Sequence, residues 1–365
     1  MTSQSQPAFP ARLTIDLAAV AANWRRLDAL GTAECGGVVK ADAYGLGMEQ
    51  VAPALLKAGC RSFFVVFIDE AVTLRRLLGA GPVIYVMAAS RWDLPGLYAA
   101  HTLVPVISSA AHADAWGREG VLDELPFLCQ VETGMHRLGL PPGEAAPLLT
   151  RPTCLGAMSH LACADEPGAA LNRTQLDAFR EVADQLPQGA IASLANSSGL
   201  YLGPDWHFGL ARPGIALYGG NPQPGRPNPM ANVVTLEAPI LQLVKVPAGQ
   251  TVGYGGTFRA ECDSLIATVP MGYADGVSRH LSGRGQAIIA GYEVPYAGRV
   301  SMDLLALDVT DLPPAVLAED PMVQLIGPDM PIDVLADAAG TISYELLTRL
   351  GRRCHRHYVG GAAEA

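Results

Sequence analysis

Eight short apolar runs rich in β-branched residues frame this chain, at residues 36–40, 63–67, 83–87, 103–107, 127–131, 154–158, 191–194 and 208–211. Most are about twenty to thirty residues apart, and the intervals carry helical patterns such as 48–58 and 69–78. Runs that are apolar without alternation suit strands covered on both faces, and strands alternating with helices build a parallel sheet. Eight such units are the count of a (β/α)8 barrel. Ahead of them, residues 13–17 alternate like a strand and 18–30 have helical composition, with Asp16 placed to cap that helix.

Beyond about residue 233 the texture changes. Short strands at 234–236, 240–246, 264–269, 286–289, 304–309 and 322–326 follow one another through Gly and Pro turns with little helix between them. A proline-rich segment, 221–228, reads as the linker, and one helical stretch, 342–350, precedes a basic tail. The expected fold is therefore α/β, an N-terminal (β/α)8 TIM-like barrel over 12–232 followed by a C-terminal mainly β domain over 233–365. The length of 365 residues fits a barrel of about 230 to 250 residues with a smaller module appended.

Composition narrows the partners. Half the residues are apolar and the net charge is −10, which argues against a nucleic-acid or anionic-membrane surface and for a small molecule. Residues 1–10 are polar, with neither a basic nor an apolar leader region, and no uninterrupted apolar run reaches bilayer length, so a cytoplasmic protein is expected. Seven cysteines (35, 60, 129, 154, 163, 262 and 354) are odd in number and never spaced C-x-x-C, so they read as buried thiols.

Barrel enzymes carry their chemistry at the C-terminal ends of the strands. The first run ends in Lys40, with Tyr44 just beyond. A lysine at the end of a buried strand is driven toward its neutral amine, the form that Schiff-base chemistry requires. The fifth run ends in Glu132-Thr133-Gly134-Met135-His136-Arg137 and the sixth in Ser159-His160. The seventh ends in Asn196-Ser197-Ser198-Gly199 and the eighth in Arg212-Pro213-Gly214-Ile215. Small residues in these last two loops expose backbone N–H groups where barrels usually hold phosphate. A lysine and a phosphate nest in one barrel mouth suit pyridoxal 5'-phosphate, a phosphorylated aldehyde; a class I aldolase acting on a sugar phosphate would present the same two features.

Taken together, the motifs resemble those of alanine racemase, the barrel-type family of pyridoxal-phosphate enzymes, from Leu13 to Tyr358. The likeness rests on Val39-Lys40-Ala41-Asp42-Ala43-Tyr44-Gly45, on the Glu132, Ser159-His160 and Ala195-Asn196-Ser197 segments, and on Arg212-Pro213-Gly214-Ile215-Ala216-Leu217-Tyr218-Gly219. In the second domain it rests on Gly272-Tyr273-Ala274-Asp275-Gly276, Gly298-Arg299-Val300-Ser301-Met302-Asp303 and Arg353-Cys354-His355-Arg356-His357-Tyr358.

The resemblance implies that Lys40 carries the cofactor, that Tyr44, Ser197, Gly214, Ile215 and Tyr358 hold its phosphate, and that Arg212 faces the pyridine nitrogen. A guanidinium keeps its proton, so that nitrogen would stay unprotonated and the ring would be a weaker electron sink, which favours simple return of a proton. Lys40 would then serve the D-face of the substrate Cα and Tyr273, from the second subunit of a homodimer, the L-face. A phenol near pKa 10 needs about 4 kcal/mol to ionise at pH 7, so it requires a nearby cation or donor, for which His160 and Arg137 are the expected candidates. Arg137 would also hold the substrate carboxylate, with Met302 and Asp303 lining the pocket from the second subunit. The implied role is supply of D-alanine for cell-wall peptidoglycan.

Three positions depart from the family pattern. Gln130 stands where many members carry a lysine that can be carbamylated, so Arg137 is expected to be held by Gln130 directly or through an anion or water. Glu132 replaces the usual Asp and Asp42 the usual Asn. Against a barrel-type amino-acid decarboxylase stands Arg212, where an acid would be expected; a non-catalytic pyridoxal-phosphate carrier would have no use for Tyr273, nor a sugar-phosphate lyase for the Arg212 motif. A racemase of another small amino acid such as serine remains the alternative. His355-Arg356-His357 lacks the carboxylate or thiolate that would complete a metal site, so no metal is expected.

Overall fold

The computed structural model describes residues 11–31 and 34–361. The polar stretch 1–10, read above as lacking a leader, lies outside the described residues. Two compact units emerge. One runs over Val20–Ala231, and the other joins the N-terminal stretch through Ala19 to the residues from Asn232 onward.

In the first unit, seven parallel strands run in sequence order: Gly37–Val38, Ser62–Val65, Val83–Val86, Val104–Ile107, Phe127–Gln130, Cys154–Met158 and Ile191–Ser193. The eighth, Leu210–Ala211, pairs in parallel with Glu34–Cys35, the other half of the first strand. Backbone bonds from Gly209 N–H to Ala192 O (2.9 Å) and from Arg212 N–H to Ala195 O (2.8 Å) join it to the seventh, so the sheet closes as a barrel. The strands Ser62–Val65, Val104–Ile107 and Phe127–Gln130 are buried along their whole length, as suits their mostly apolar character, with Ser62 and Gln130 the polar residues at their ends. Outside them, helices present one apolar stripe; in Met48–Ala58 it is Met48, Val51, Ala52 and Leu55, the i, i+3, i+4, i+7 spacing.

The second unit is mainly β. A six-stranded sheet has the order Tyr292–Pro295, Gln286–Ile289, Met322–Ile326, Val234–Pro239, Arg12–Asp16, His355–Val359. A three-stranded sheet contains Gln242–Val246, Ser264–Val269 and Leu305–Asp308. The N-terminal strand, grouped above with the barrel, lies antiparallel to Val234–Pro239 and parallel to His355–Val359, so its backbone groups are satisfied in this sheet. The basic tail is thus a strand, and the expected helix at 342–350 is Ser343–Thr348. Asp16 caps as expected, accepting from the N–H groups of Ala18 (2.8 Å) and Ala19 (3.0 Å). The helix Ile332–Ala339, absent from the sequence reading, follows Pro331 and buries Ile332, Leu335, Ala336 and Ala339. No helix among the described residues is long and apolar enough to cross a membrane.

One barrel side chain ties stability to pH. His112, in the helix Ala110–Arg118, is buried edge-on against Trp116, ring centroids 4.3 Å apart. Burial pushes its imidazole down to about 4, with Asp93 pulling weakly the other way. Unfolded, it titrates near 6.5, so between these values the unfolded chain binds the extra proton. The stability contributed by the neutral ring is complete above about pH 6.5 and lost as pH falls toward 4, by about 3 kcal/mol. His112→Gln should therefore flatten the pH dependence of the urea midpoint between pH 7 and 4.5 relative to the parent protein; parallel slopes would show that this ring does not titrate on unfolding.

Candidate active site

Lys40 ends the first barrel strand, and the four residues after it adopt left-handed backbone angles: Ala41 (φ 51°), Asp42 (φ 55°), Ala43 (φ 53°) and Tyr44 (φ 57°). L-residues avoid this region by about 1–2 kcal/mol each, so the turn needs outside support. Backbone bonds from Gly45 N–H to Ala41 O (2.8 Å) and from Gly47 N–H to Asp42 O (2.9 Å) supply part of it. Asp42, in place of the usual Asn, accepts from Met48 N–H (2.7 Å) at the start of the next helix. Glu70 adds a side-chain hold. Its carboxylate accepts from Ala41 N–H (2.6 Å) while also capping its own helix through Val66 N–H (2.9 Å) and Phe67 N–H (3.1 Å). Sequence reading missed Glu70, because the N-cap residue is Phe67 and the Ser/Thr of a capping box is absent.

The turn aims Tyr44 at the eighth-strand loop. A Cβ placed on Gly214 would stand 2.2 Å from Tyr44 Oη, so only glycine leaves room for the phenol there. Ser197 Oγ accepts from Gly214 N–H (2.9 Å) and Ala216 N–H (3.3 Å), and Ile215 is buried behind them at the start of the turn Ile215–Tyr218. A hydroxyl, a phenol and two backbone N–H groups, the latter turned onto Ser197 Oγ, therefore lie together in one small volume, a set of polar groups that suits a phosphate. Asn196 caps the turn that follows it, its Oδ1 accepting from Gly199 N–H (2.9 Å).

Opposite this cradle the charges are unusual. Arg212 is 3% exposed, yet among the described residues it has no carboxylate partner. Its guanidinium donates to Ser193 Oγ (2.5 Å), Ser159 O (2.5 Å) and Leu194 O (3.4 Å), and burial pushes it down to about 10, still protonated at neutral pH. His160 Nδ1 lies 3.5 Å from Arg212 Nη2. Burial, then Arg212, Arg137 and Lys40, push the imidazole down to about 3. It is therefore a neutral ring, and accepting at Nδ1 leaves Nε2 as the donor. Gln175, also missed in the sequence, fixes this corner by donating to His160 O (2.9 Å) and Thr133 Oγ1 (3.2 Å). It was legible only as a polar residue on the buried stripe of the helix Ala170–Ala183.

Lys40 feels the same field. Burial and the nearby Arg137 lower its pKa, while Glu70 pulls it back up. Arg137 itself is exposed, and the expected direct hold by Gln130 is not made: Gln130 Nε2 donates to Leu138 O (2.9 Å). The Nε2 of Gln130 braces the strand end, and the arginine loop is closed by Glu132. The Glu132 carboxylate accepts from Gly134, Met135 (2.7 Å) and His136 (2.9 Å) N–H groups. Burial alone would raise its pKa, but these bonds outweigh it and hold the group ionised.

Lys40, Tyr44, Arg137, His160, Ser197, Arg212, Gly214 and Ile215 thus share one end of the barrel. Tyr273, Met302, Asp303 and Tyr358 belong to the other unit. There Tyr273 opens a short turn, Tyr273–Asp275, and is 44% exposed, and Met302 is also exposed. Asp303 pairs with Arg353 (2.7 Å), and Tyr358 sits on the last strand opposite Ile15.

Comparison with known proteins identifies the family. The family model for the alanine racemase N-terminal domain matches residues 15–222, and that for the C-terminal domain matches 233–358. An alanine racemase of Rhodospirillum rubrum is 47% identical, the match covering 96% of each chain. A catabolic alanine racemase of Mesorhizobium japonicum is 46% identical, covering 98% of this chain and 95% of that one. Among solved structures, the alanine racemase of Bartonella henselae with covalently bound pyridoxal phosphate superposes with a TM-score of 0.88 at 38% identity, covering 96% of this chain and 99% of that one. The biosynthetic alanine racemase of Pseudomonas aeruginosa gives 0.88 at 33% identity over the same shares.

The lowered amine can be read directly, since the chain has three lysines, 40, 57 and 245. In ligand-free protein, labelling of Lys40 by an amine-selective reagent, followed by peptide mass spectrometry, should set in at a lower pH than for a free lysine side chain. Glu70→Gln removes the carboxylate that raises the group, so onset should move lower still; a shift to higher pH would contradict the assigned field.

Proposed function

Because the chain belongs to the alanine racemase family, we propose that it interconverts L-alanine and D-alanine with pyridoxal 5'-phosphate as cofactor and Lys40 and Tyr273 as the two proton-transfer groups. The observation that carries this reading is Arg212. A buried guanidinium without a carboxylate, at the same end of the barrel as a lysine of lowered pKa, suits a reaction that labilises one proton and returns it.

When bound, the cofactor supplies an electron sink that acidifies the substrate Cα proton. The rest is done by the protein's own residues. Tyr44 Oη, Ser197 Oγ and the backbone of Gly214 and Ile215 would hold the phosphate, with Tyr358 a further donor. Arg212, which keeps its proton, would be the partner of the cofactor's ring nitrogen and would keep that nitrogen from being protonated. Arg137, bound to no carboxylate of its own chain among the described residues, takes the substrate carboxylate. Lys40 Nζ exchanges a proton on one face of Cα and Tyr273 Oη on the other. Neutral His160 is the hydrogen-bond donor that lowers the cost of ionising that phenol.

The two bases belong to a site shared by two copies of the chain, arranged as a homodimer. Tyr273 and Met302 are exposed on their own unit, and on the barrel Phe67, Trp92 and Leu94 stand out from the loops after the second and third strands of the barrel. Such apolar surface suits faces that a second copy covers. In the cytoplasm the product would supply D-alanine for peptidoglycan.

In deuterium oxide, L-alanine should lose optical activity as its Cα proton exchanges, with no carbon dioxide released; release instead would indicate a decarboxylase, and a panel including serine defines the substrate range. Lys40→Ala should abolish the cofactor's visible absorbance band and reduce racemisation on the order of a thousandfold. Tyr273→Phe should leave D-alanine able to take up deuterium with retention while uptake by L-alanine falls about a hundredfold. Equal losses from the two enantiomers would overturn the assignment of one base to each face.

A further inference from the structure

Tyr273 is too exposed for packing to aim its ring, so its direction depends on its backbone. Three chain segments meet at that backbone. Tyr273 N–H donates to Ser301 O (3.0 Å), Ala274 N–H to Met302 O (3.0 Å) and Gly351 N–H to Asp275 O (2.9 Å). The approach leaves no slack: a Cβ on Gly272 would fall 2.2 Å from Met302 O. One side chain bonds to both of the other segments from the third. Arg353 donates through Nε (2.7 Å) and Nη2 (2.9 Å) to the two oxygens of Asp275, and through Nη1 (2.7 Å) to Asp303. Asp275 is fully buried, and its Oδ2 also accepts from Gly272 N–H (3.0 Å), the residue before the tyrosine.

We propose that Arg353 is a positioning residue for the racemase reaction, clamping Asp275 and Asp303 so that the turn 272–276 presents Tyr273 Oη in one fixed direction. On this account Asp303 acts through Arg353 and not by touching substrate. The planar fork matters as well as the charge: a bidentate pair fixes distance and rotation together, which a lysine's single ammonium does not. Removing the fork frees the turn from the Met302–Asp303 segment, and displacement of about 1 Å in a reacting group is enough to lower a rate about a hundredfold. The proposal rests on the reading of Tyr273 as the L-face proton-transfer group.

The experiment compares Arg353→Lys, Asp303→Asn and Tyr273→Phe in the cofactor-loaded enzyme, measuring initial deuterium uptake at Cα from each enantiomer of alanine. Arg353→Lys should lose at least about tenfold in uptake by L-alanine, while uptake by D-alanine with retention stays within about threefold. Asp303→Asn, which leaves buried Asp275 paired, should show the same asymmetry more weakly and decides the matter if Arg353→Lys does not fold. In cofactor-free protein, both variants should speed amide hydrogen exchange across 272–276. A clamp that serves only stability would depress uptake from the two enantiomers in parallel, and parallel loss or no loss overturns the proposal. If Tyr273→Phe is asymmetric while Arg353→Lys is not, the clamp alone is wrong; if Tyr273→Phe is itself symmetric, the assignment of Tyr273 fails and the clamp falls with it.

Discussion

Four consecutive L-residues held in the left-handed region after Lys40 are the constraint on which the barrel's site depends. Such a turn is unfavourable by several kcal/mol by itself, at about 1–2 kcal/mol per residue. It persists because its neighbours over-determine it: Glu70 takes the Ala41 N–H, Asp42 anchors the next helix, and Gly45 and Gly47 close it from behind. The strain has a geometric return. A right-handed continuation would carry Tyr44 away along a helix, whereas this turn brings its hydroxyl against Gly214, so that the amine and the phenol leave the same short segment in set directions.

The electrostatics follow from that placement. Lys40, Arg137 and Arg212 concentrate positive charge at one end of the barrel, and the imidazole among them is forced neutral. A buried guanidinium with only neutral partners is costly, and the fold retains it among hydroxyl and carbonyl oxygens. That arrangement favours an anionic, phosphate-bearing cofactor and an amino-acid carboxylate. On the proposed reading it also separates the tasks: the permanent charges bind, and Lys40 and Tyr273 transfer the proton.

The barrel was largely legible in the sequence because buried parallel strands are unbroken apolar runs, and each of the eight expected runs contains a strand. The C-terminal unit was harder. The tail 355–359 opens with three polar residues, His355-Arg356-His357, that resemble a solvated end, and it is a strand because Arg12–Asp16 offers an edge from the far end of the chain. Lys40, His160, Ser197 and Arg212 could be singled out because they sit where strands end. Glu70 and Gln175 could not, since what they do depends on which backbone groups lie within reach across 29 and 15 residues of chain. Gln130 shows the same limit in reverse: it was expected to hold Arg137 directly or through an anion or water, the direct bond is not made, and its Nε2 donates to Leu138 O instead. Spacing along a sequence identifies chemistry, but the choice among nearby partners is made in three dimensions.

The central claim is that one proton-transfer group comes from each of two chains, and subunit complementation tests it most directly. Lys40→Ala and Tyr273→Phe proteins, each nearly inactive, would be unfolded and refolded together or co-expressed, and the hybrid dimers assayed for racemisation. A shared site requires that the hybrid regain one intact Lys40–Tyr273 pair, so activity should rise well above that of either parent. Hybrid dimers that form yet remain as inactive as their parents would contradict the account, because both groups would then have to come from a single chain.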